Sequence, residues 1–274
     1  MPARHPERIV CLTEETTETL YLLGEERRIV GISGYTVRPP RARKEKPRVS
    51  AFLSAKTEKI LELKPDLVLG FSDLQADIAR DLAKAGLNIM IFNQRSVDEI
   101  LSMILTLSSL VGASAKGEAL VEQLEQNLRS IKEKAKKFER RPKVYFEEWD
   151  EPMISGIRWV SELVEVAGGE DVFKDRSFSK AASGRIVADG NEVIGAKPDV
   201  VIGSWCGKKF RPEKVAARPG WDAIPAVQNG QLHEVKSADI LQPGPAALTD
   251  GVRRIHEILR DSLRPSPRTR RPGA

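Results

Sequence analysis

The sequence predicts an α/β protein made of two Rossmann-like lobes with parallel sheets, joined by one long rigid helix. Three observations carry this reading. KPDLVLG at 64–70 returns as KPDVVIG at 197–203, and each copy follows a short helical stretch. The apolar run in each copy is unbroken and ends at glycine, the habit of a strand buried on both faces under helices. Between the copies lies a helical pattern of about 24 residues, which at 1.5 Å per residue reaches about 36 Å. RIVCL at 8–12 and KVYFE at 143–147 hold matching places ahead of the two copies. The expected organisation is an N-terminal lobe over 1–96, connecting helices over 97–140, a C-terminal lobe over 141–262 and a disordered basic tail over 263–274.

In the first lobe, strand 8–12 leads to a helix with Thr13 at its N-cap and Glu14 and Glu15 in its first turn, where carboxylates complement the helix dipole. Gly24 ends that helix. Strand 28–32 follows, then a loop with Tyr35, Arg38 and Pro39-Pro40. Strand 65–70 leads to a helix opened by Ser72-Asp73-Leu74-Gln75, read as a capping box, and closed by Gly86; strand 88–92 comes next. Strands alternating with helices imply a parallel sheet. Ser96-Val97-Asp98-Glu99 is a second capping box. Apolar residues then keep steps of three and four from Ile100 to Phe138, interrupted at Gly112. In the second lobe a helix runs from Trp159 to Ala167 and stops at Gly168-Gly169. Residues 174–188 read as irregular, Pro212 opens a helix, 231–236 is a strand, and 245–262 is a last amphipathic helix.

Composition narrows the class. The chain has 274 residues, 41% of them apolar, enough for two cores. Its net charge is +5, but Arg264, Arg268, Arg270 and Arg271 account for all but one of those charges. The body is therefore too nearly neutral for a nucleic-acid partner. Cys11 and Cys206 are far apart, with no histidine beside either, so no zinc site is indicated. No apolar run is long enough for a signal peptide or a membrane span. The expectation is a cytoplasmic protein as written, or a periplasmic or surface one if an export signal is missing from this chain.

Ligands of open parallel sheets bind beyond the strand carboxyl ends. Those ends bring forward Tyr35 and Arg38, Phe71 and Ser72, the run Glu148-Trp149-Asp150, and the loop GSWCGKKF with Trp205, Cys206 and Lys208. Phe52, in VSAFLS, belongs to the same tier, and Arg158 stands at a helix start where it can meet an anion. Two such rims predict a cleft lined by aromatic rings and a few cations. Cys11 and Trp221 are expected in the core.

In order along the chain, RIVCLTEETTETLYLLG, RRIVGISGY with the prolines after it, KTEKILELKPDLVLG, the long central helix, Gly168-Gly169, KPDVVIG and PGWDAIPAVQNGQLHEV resemble the class III substrate-binding proteins of ABC importers. That family binds vitamin B12, haem and ferric siderophores, and the resemblance, over about 8–262, is strongest to the vitamin B12-binding branch. It implies a metal-chelate ligand, a corrinoid first and a ferric siderophore or haem next, gripped by aromatics, with no separate cofactor. It also implies a monomer and an ABC permease partner, docking on one acidic residue of each lobe, here Asp77 and Glu213. Two features depart from the family pattern: Thr13-Glu14-Glu15 stands where Ser-Pro or a similar pair is usual, and the CGKKFR loop is not a general family feature. The alternative is a cytoplasmic enzyme using Cys206 as nucleophile with Glu148 and Asp150 as acid–base groups.

Overall fold

The structure, a computed structural model, describes residues 5–264. It divides into two compact units: the first runs to Gln126 and takes in Gln242–Ala246, and the second runs from Asn127 to Leu241 and resumes at Ala247. The basic tail lies outside the described residues from 265 on.

In the first unit, β1 (Ile9–Cys11), β2 (Ile29–Ser33), β3 (Arg48–Ser50), β4 (Leu67–Phe71) and β5 (Ile89–Phe92) form a sheet in the order β3-β2-β1-β4-β5. Every pairing is parallel. The helices are α1 (Glu14–Leu22), α2 (Ala42–Glu45), α3 (Thr57–Glu62), α4 (Ala76–Lys84) and α5 (Val97–Leu110), followed by α6 (Ser114–Ala135). The division between the units falls inside α6, so α5 and the first part of α6 belong with the first unit rather than to a separate connector. Val10, Leu12, Val49, Ile60, Val68 and Leu82 make one core cluster of this unit.

The second unit contains β6 (Lys143–Asp150), β7 (Met153–Ser155), β8 (Glu170–Asp171), β9 (Val200–Gly203) and β10 (Leu232–Glu234). Its sheet runs β10-β9-β6-β7, with β8 also on β6. Here the all-parallel expectation fails at one strand, because β7 turns straight back and pairs antiparallel with β6. Also, β6 is longer than the run KVYFE, so Glu148, Trp149 and Asp150 are its last residues and not a loop after it. The helices are α7 (Arg158–Val166), α8 (Lys174–Ser177), α9 (Gly190–Ala196), α10 (Pro212–Ala216), α11 (Pro225–Gln228), α12 (Ser237–Ile240) and α13 (Val252–Ser262). The stretch read as irregular, 174–188, holds α8 and a 3-10 turn at Ala182–Arg185. The last helix is shorter than 245–262: one turn of π-helix, Ala247–Gly251, precedes α13.

Both copies of KPD do the same work. Lys64 and Lys197 both take left-handed backbone, at φ 46° and φ 50°, a conformation that costs a non-glycine residue about 1–2 kcal/mol. The proline then ends the helix, and the aspartate turns back to grip the strand on the other side. Asp66 accepts the backbone N–H groups of Glu7 (2.7 Å) and Arg8 (2.9 Å) at the entry to β1. Asp199 accepts the N–H of Lys143 (2.8 Å) at the entry to β6, and the Arg140 guanidinium (2.7 Å). Each aspartate thus ties the start of its own strand to that of the neighbouring one, which offsets the strained lysine.

The caps are mixed. Ser96 forms the expected capping box with Glu99. Ser72 does not: its hydroxyl accepts from Leu74 N–H, while the Gln75 amide oxygen accepts from Phe71 N–H. A 3-10 turn at Asp73–Gln75 shifts the pattern by one residue. Thr13 sits at the N-cap of α1, yet its hydroxyl donates to Glu15 Oε1 (2.5 Å) instead of accepting from the helix.

Asp199→Ala removes a charged acceptor from two donors and is expected to lower the stability of the second unit by about 1–2 kcal/mol; the more exposed Asp66→Ala costs the first unit less. Urea unfolding followed by probes in each unit checks both. A loss from Asp199→Asn much smaller than that from Asp199→Ala would show that the charge is not what matters.

Candidate functional site

In each sheet the chain reverses its direction of travel once, between β1 and β4 in the first unit and between β6 and β9 in the second. At such a point adjacent loops diverge beyond the strand carboxyl ends and leave a crevice. The candidate site is built from these rims, each taken by itself.

The rim of the first unit is apolar and exposed. Tyr35 (57% exposed) and Val37 (43%) follow β2, Leu53 (68%) follows β3 and Leu74 (61%) follows β4. Among the described residues they are half of all the large apolar side chains left exposed, gathered at one end of one sheet. Gln75, fully buried, braces this rim: its amide nitrogen donates to the Phe52 carbonyl (2.9 Å) while its oxygen holds Phe71 N–H (3.0 Å). Phe52 is half-buried. Phe71 and Ser72 are buried, at 8% and 1% exposure. The Arg95 guanidinium lies 4.7 Å over the Phe71 ring, and Ser72 holds a left-handed φ of 68° with its N–H on the Phe92 carbonyl. They support the rim; they do not display a surface. Arg38 is engaged by Glu18 (2.9 Å).

Beneath this rim, at the start of α1, lies a feature the sequence reading placed differently. Glu14, Glu15 and Glu18 are all buried, at 5%, 1% and 8% exposure. Burial pushes the Glu14 carboxyl up to about 8, with the Glu15 and Glu18 charges adding to it. It pushes Glu15 up to about 7, against the Thr13 hydroxyl, which favours the ionised form. The helix dipole is therefore outweighed: desolvation costs more than an exposed first turn repays. Cys11 beside them is a core thiol pushed up to about 12 by burial, as expected of a core residue.

In the second unit the loop GSWCGKKF folds back on its own sheet. Gly203 lets this happen, since a Cβ there would overlap the Phe210 ring. Phe210 in turn meets Trp205 edge-on, at 5.0 Å between centroids. Trp205 is a core residue, 4% exposed, which corrects its placement on a ligand surface. Its indole N–H donates to Glu147 (3.0 Å). Glu147 has no solvent exposure and is held by both guanidinium nitrogens of Arg218 (2.6 and 2.9 Å) and by the Tyr145 hydroxyl (3.0 Å). Parity in β6 puts Tyr145 and Glu147 on one face; the register shifts between Glu147 and Trp149, and Trp149, next to last in the strand, is half-buried.

Lys208 closes this arrangement. Its ammonium stands 4.1 Å from the Trp149 ring and 5.2 Å from Trp205, and it pairs with Asp150. Cys206 is exposed at the tip of the loop. Glu148 is gripped by Arg185, itself 2% exposed. The acid–base pair of the enzyme alternative is thus bound up in two ion pairs, each carboxylate facing its own cation. Arg158 begins α7, pairs with Glu162 (2.8 Å) and lies 5.5 Å from the ring of Phe178, which is 59% exposed. Asp77 is exposed on α4 and paired with Arg80 (2.7 Å); Glu213 is exposed in the first turn of α10. Arg218 and Arg185 were missed, as were the burial of Glu147 and of the α1 glutamates and the bracing role of Gln75. Strand parity was the available signal for Glu147, and its partner lies 71 residues away.

Compared with known proteins, residues 9–238 match the family described as periplasmic binding protein. An uncharacterized ABC transporter substrate-binding lipoprotein, YvrC of Bacillus subtilis (strain 168), is 25% identical over 93% of this chain and 81% of that protein. The vitamin B12-binding protein of Yersinia pestis (strain Pestoides F) is 26% identical over 79% of this chain and 75% of its own length. Among solved structures, the periplasmic heme-binding protein RhuT from Roseiflexus sp. RS-1 in apo form superposes with a TM-score of 0.79 at 24% identity, over 94% of this chain and 99% of that one; this likeness speaks for the fold.

Two outcomes follow from the buried charges. Glu147→Ala strands Arg218 in the interior and is expected to cost about 3–5 kcal/mol, read by chemical denaturation; a loss under about 1 kcal/mol would mean that Arg218 reaches water unaided. Glu14 and Glu15 have folded values above their unfolded one of 4.5. Their contribution is fully present below pH 4.5 and is lost as pH rises through about 7 and about 8. The thermal midpoint of the first unit is expected to fall across that window, and Glu14→Gln with Glu15→Gln to flatten the fall.

Proposed function

The chain belongs to the periplasmic binding protein family, and from that premise we propose that it is the substrate-binding component of an ABC importer whose cargo is a metal chelate. A cobalamin-type corrinoid is the first candidate, with ferric siderophore or haem next. The observation that carries the proposal is the gathering of Tyr35, Val37, Leu53 and Leu74, exposed and apolar, at the carboxyl-end rim of the first unit. A connecting loop has no need of such a surface, and contiguous exposed apolar side chains commonly mark a binding site. A corrin or tetrapyrrole offers a broad apolar face that aromatic and aliphatic side chains can cover. The rim of the second unit, taken by itself, carries the Lys208–Trp149 and Arg158–Phe178 pairs, ring faces with cations beside them. The chelate is cargo and no resident cofactor is invoked.

Asp77 and Glu213, exposed at the first turns of α4 and α10, are proposed as the permease contacts. The family's description and the lipoprotein relative favour work outside the cytoplasm over the cytoplasmic placement drawn from the N-terminal residues. Among the described residues no helix is long and apolar enough to cross a membrane.

Titration of the purified protein with cyanocobalamin, haemin and a ferric siderophore, read by calorimetry and by absorption, tests the reading. One of the three is expected to bind saturably at one per chain with micromolar or better affinity. Tyr35→Ala and Trp149→Ala are each expected to weaken it about tenfold or more if they are central contacts. Failure of all three chelates to bind would overturn the proposal; unchanged affinity in a variant would remove that residue from the site.

A further inference from the structure

The segment Gln242–Ala246 leaves α12 of the second unit, packs within the first unit, and returns to the second at Ala247. It is a strap, and its seat is the buried acid cluster of α1. Gly244 lies against Glu15 so closely that a Cβ there would come within 2.5 Å of Glu15 Cβ and 3.2 Å of its Cα. Ala246 N–H donates to Glu18 Oε2 (3.0 Å), and the Gln94 amide donates to the Pro243 carbonyl (3.0 Å). Pro243 and Pro245 have no N–H to give, and the Gly244 N–H is spent on Gln242 within the strap (2.8 Å).

We propose that Glu14, Glu15 and Glu18 form a proton-operated seat for this strap: with Glu14 and Glu15 protonated the strap stays down, and with both ionised it lifts. The groups facing the cluster can be named element by element. Cys11 on β1 is a buried thiol, Arg38 on the loop after β2 pairs with Glu18, and Arg43 on α2 and Lys46 just after it act from the exposed side and from partial burial. The strap itself has no titratable side chain. Glu14 Oε2 and Glu15 Oε2 are buried without a hydrogen-bond partner, so one oxygen of each ionised carboxylate finds no donor in place, and on Glu15 only Oε1 is served, by the Thr13 hydroxyl (2.5 Å). Ionised buried carboxylates a turn apart repel one another and must be rehydrated. β1, α1 and the loop after β2 belong to the body of the unit, whereas the strap is a short proline-rich cover. Lifting it is the least disruptive way to admit water to Glu15.

Hydrogen exchange of the full chain from pH 6 to pH 9, corrected for the intrinsic rate at each pH, tests this. Protection of the amides across 241–248 is expected to fall about tenfold or more over the range, while β4 amides stay protected, as local opening requires. Glu14→Gln with Glu15→Gln, which keeps shape and removes both charges, should hold the strap protected throughout. Gly244→Ala should unseat it already at pH 6. A strap whose corrected protection is flat with pH in the unmodified protein, an equal fall in the double glutamine variant, or full protection in Gly244→Ala would each overturn the proposal.

Discussion

A parallel strand covered by helices on both faces can carry no unpaired polarity along its length, and this one constraint arranges the chain. The central strands β1, β4 and β9 are buried throughout. Polar chemistry is therefore driven to their two ends. At the entry ends stand Asp66 and Asp199, which collect backbone N–H groups that would otherwise go unsatisfied. At the exit ends stand the loops that can afford exposed rings and charges.

Where a charge does enter the interior, the same constraint demands a partner. Glu147 lies on an inward face of β6, and its oxygens are claimed by Arg218, Tyr145 and Trp205. Arg185 is buried against Glu148 and the Ser155 carbonyl. The three glutamates of α1 answer the demand differently. Only Glu18 has a cation hydrogen-bonded to it, and Glu14 and Glu15 are instead held toward their neutral form. A buried pair favours one geometry; a buried acid with no cation bound to it favours one protonation state.

The two rims differ accordingly. In the first unit the ring of loops leaves Tyr35, Val37, Leu53 and Leu74 in water, braced from below by Gln75. In the second unit most of the rim chemistry is turned inward: Trp205 and Phe210 pack, Lys208 lies over Trp149 and binds Asp150, and Trp149 and Phe178 are the rings that keep some surface. The loop GSWCGKKF, which as a string of residues suggests an offered hand, spends most of its chemistry on holding Trp149.

Much of this was legible in one dimension. The apolar runs, the KPD repeat, the Ser96–Glu99 box, the glycines at helix ends and the alternation of strand with helix are signals between residues a few positions apart, so they identified the fold class, most elements and the rim that bears Tyr35 and Arg38. What tertiary structure alone decided is which side chains at the rim turn inward. Trp205 is core because Glu147 waits for it 58 residues away; Glu14 and Glu15 lose their ordinary acidity because of what covers them, including a strap whose Ala246 is 228 residues from Glu18. Desolvation depends on the atoms that happen to be near in space, and no local pattern of residues records them.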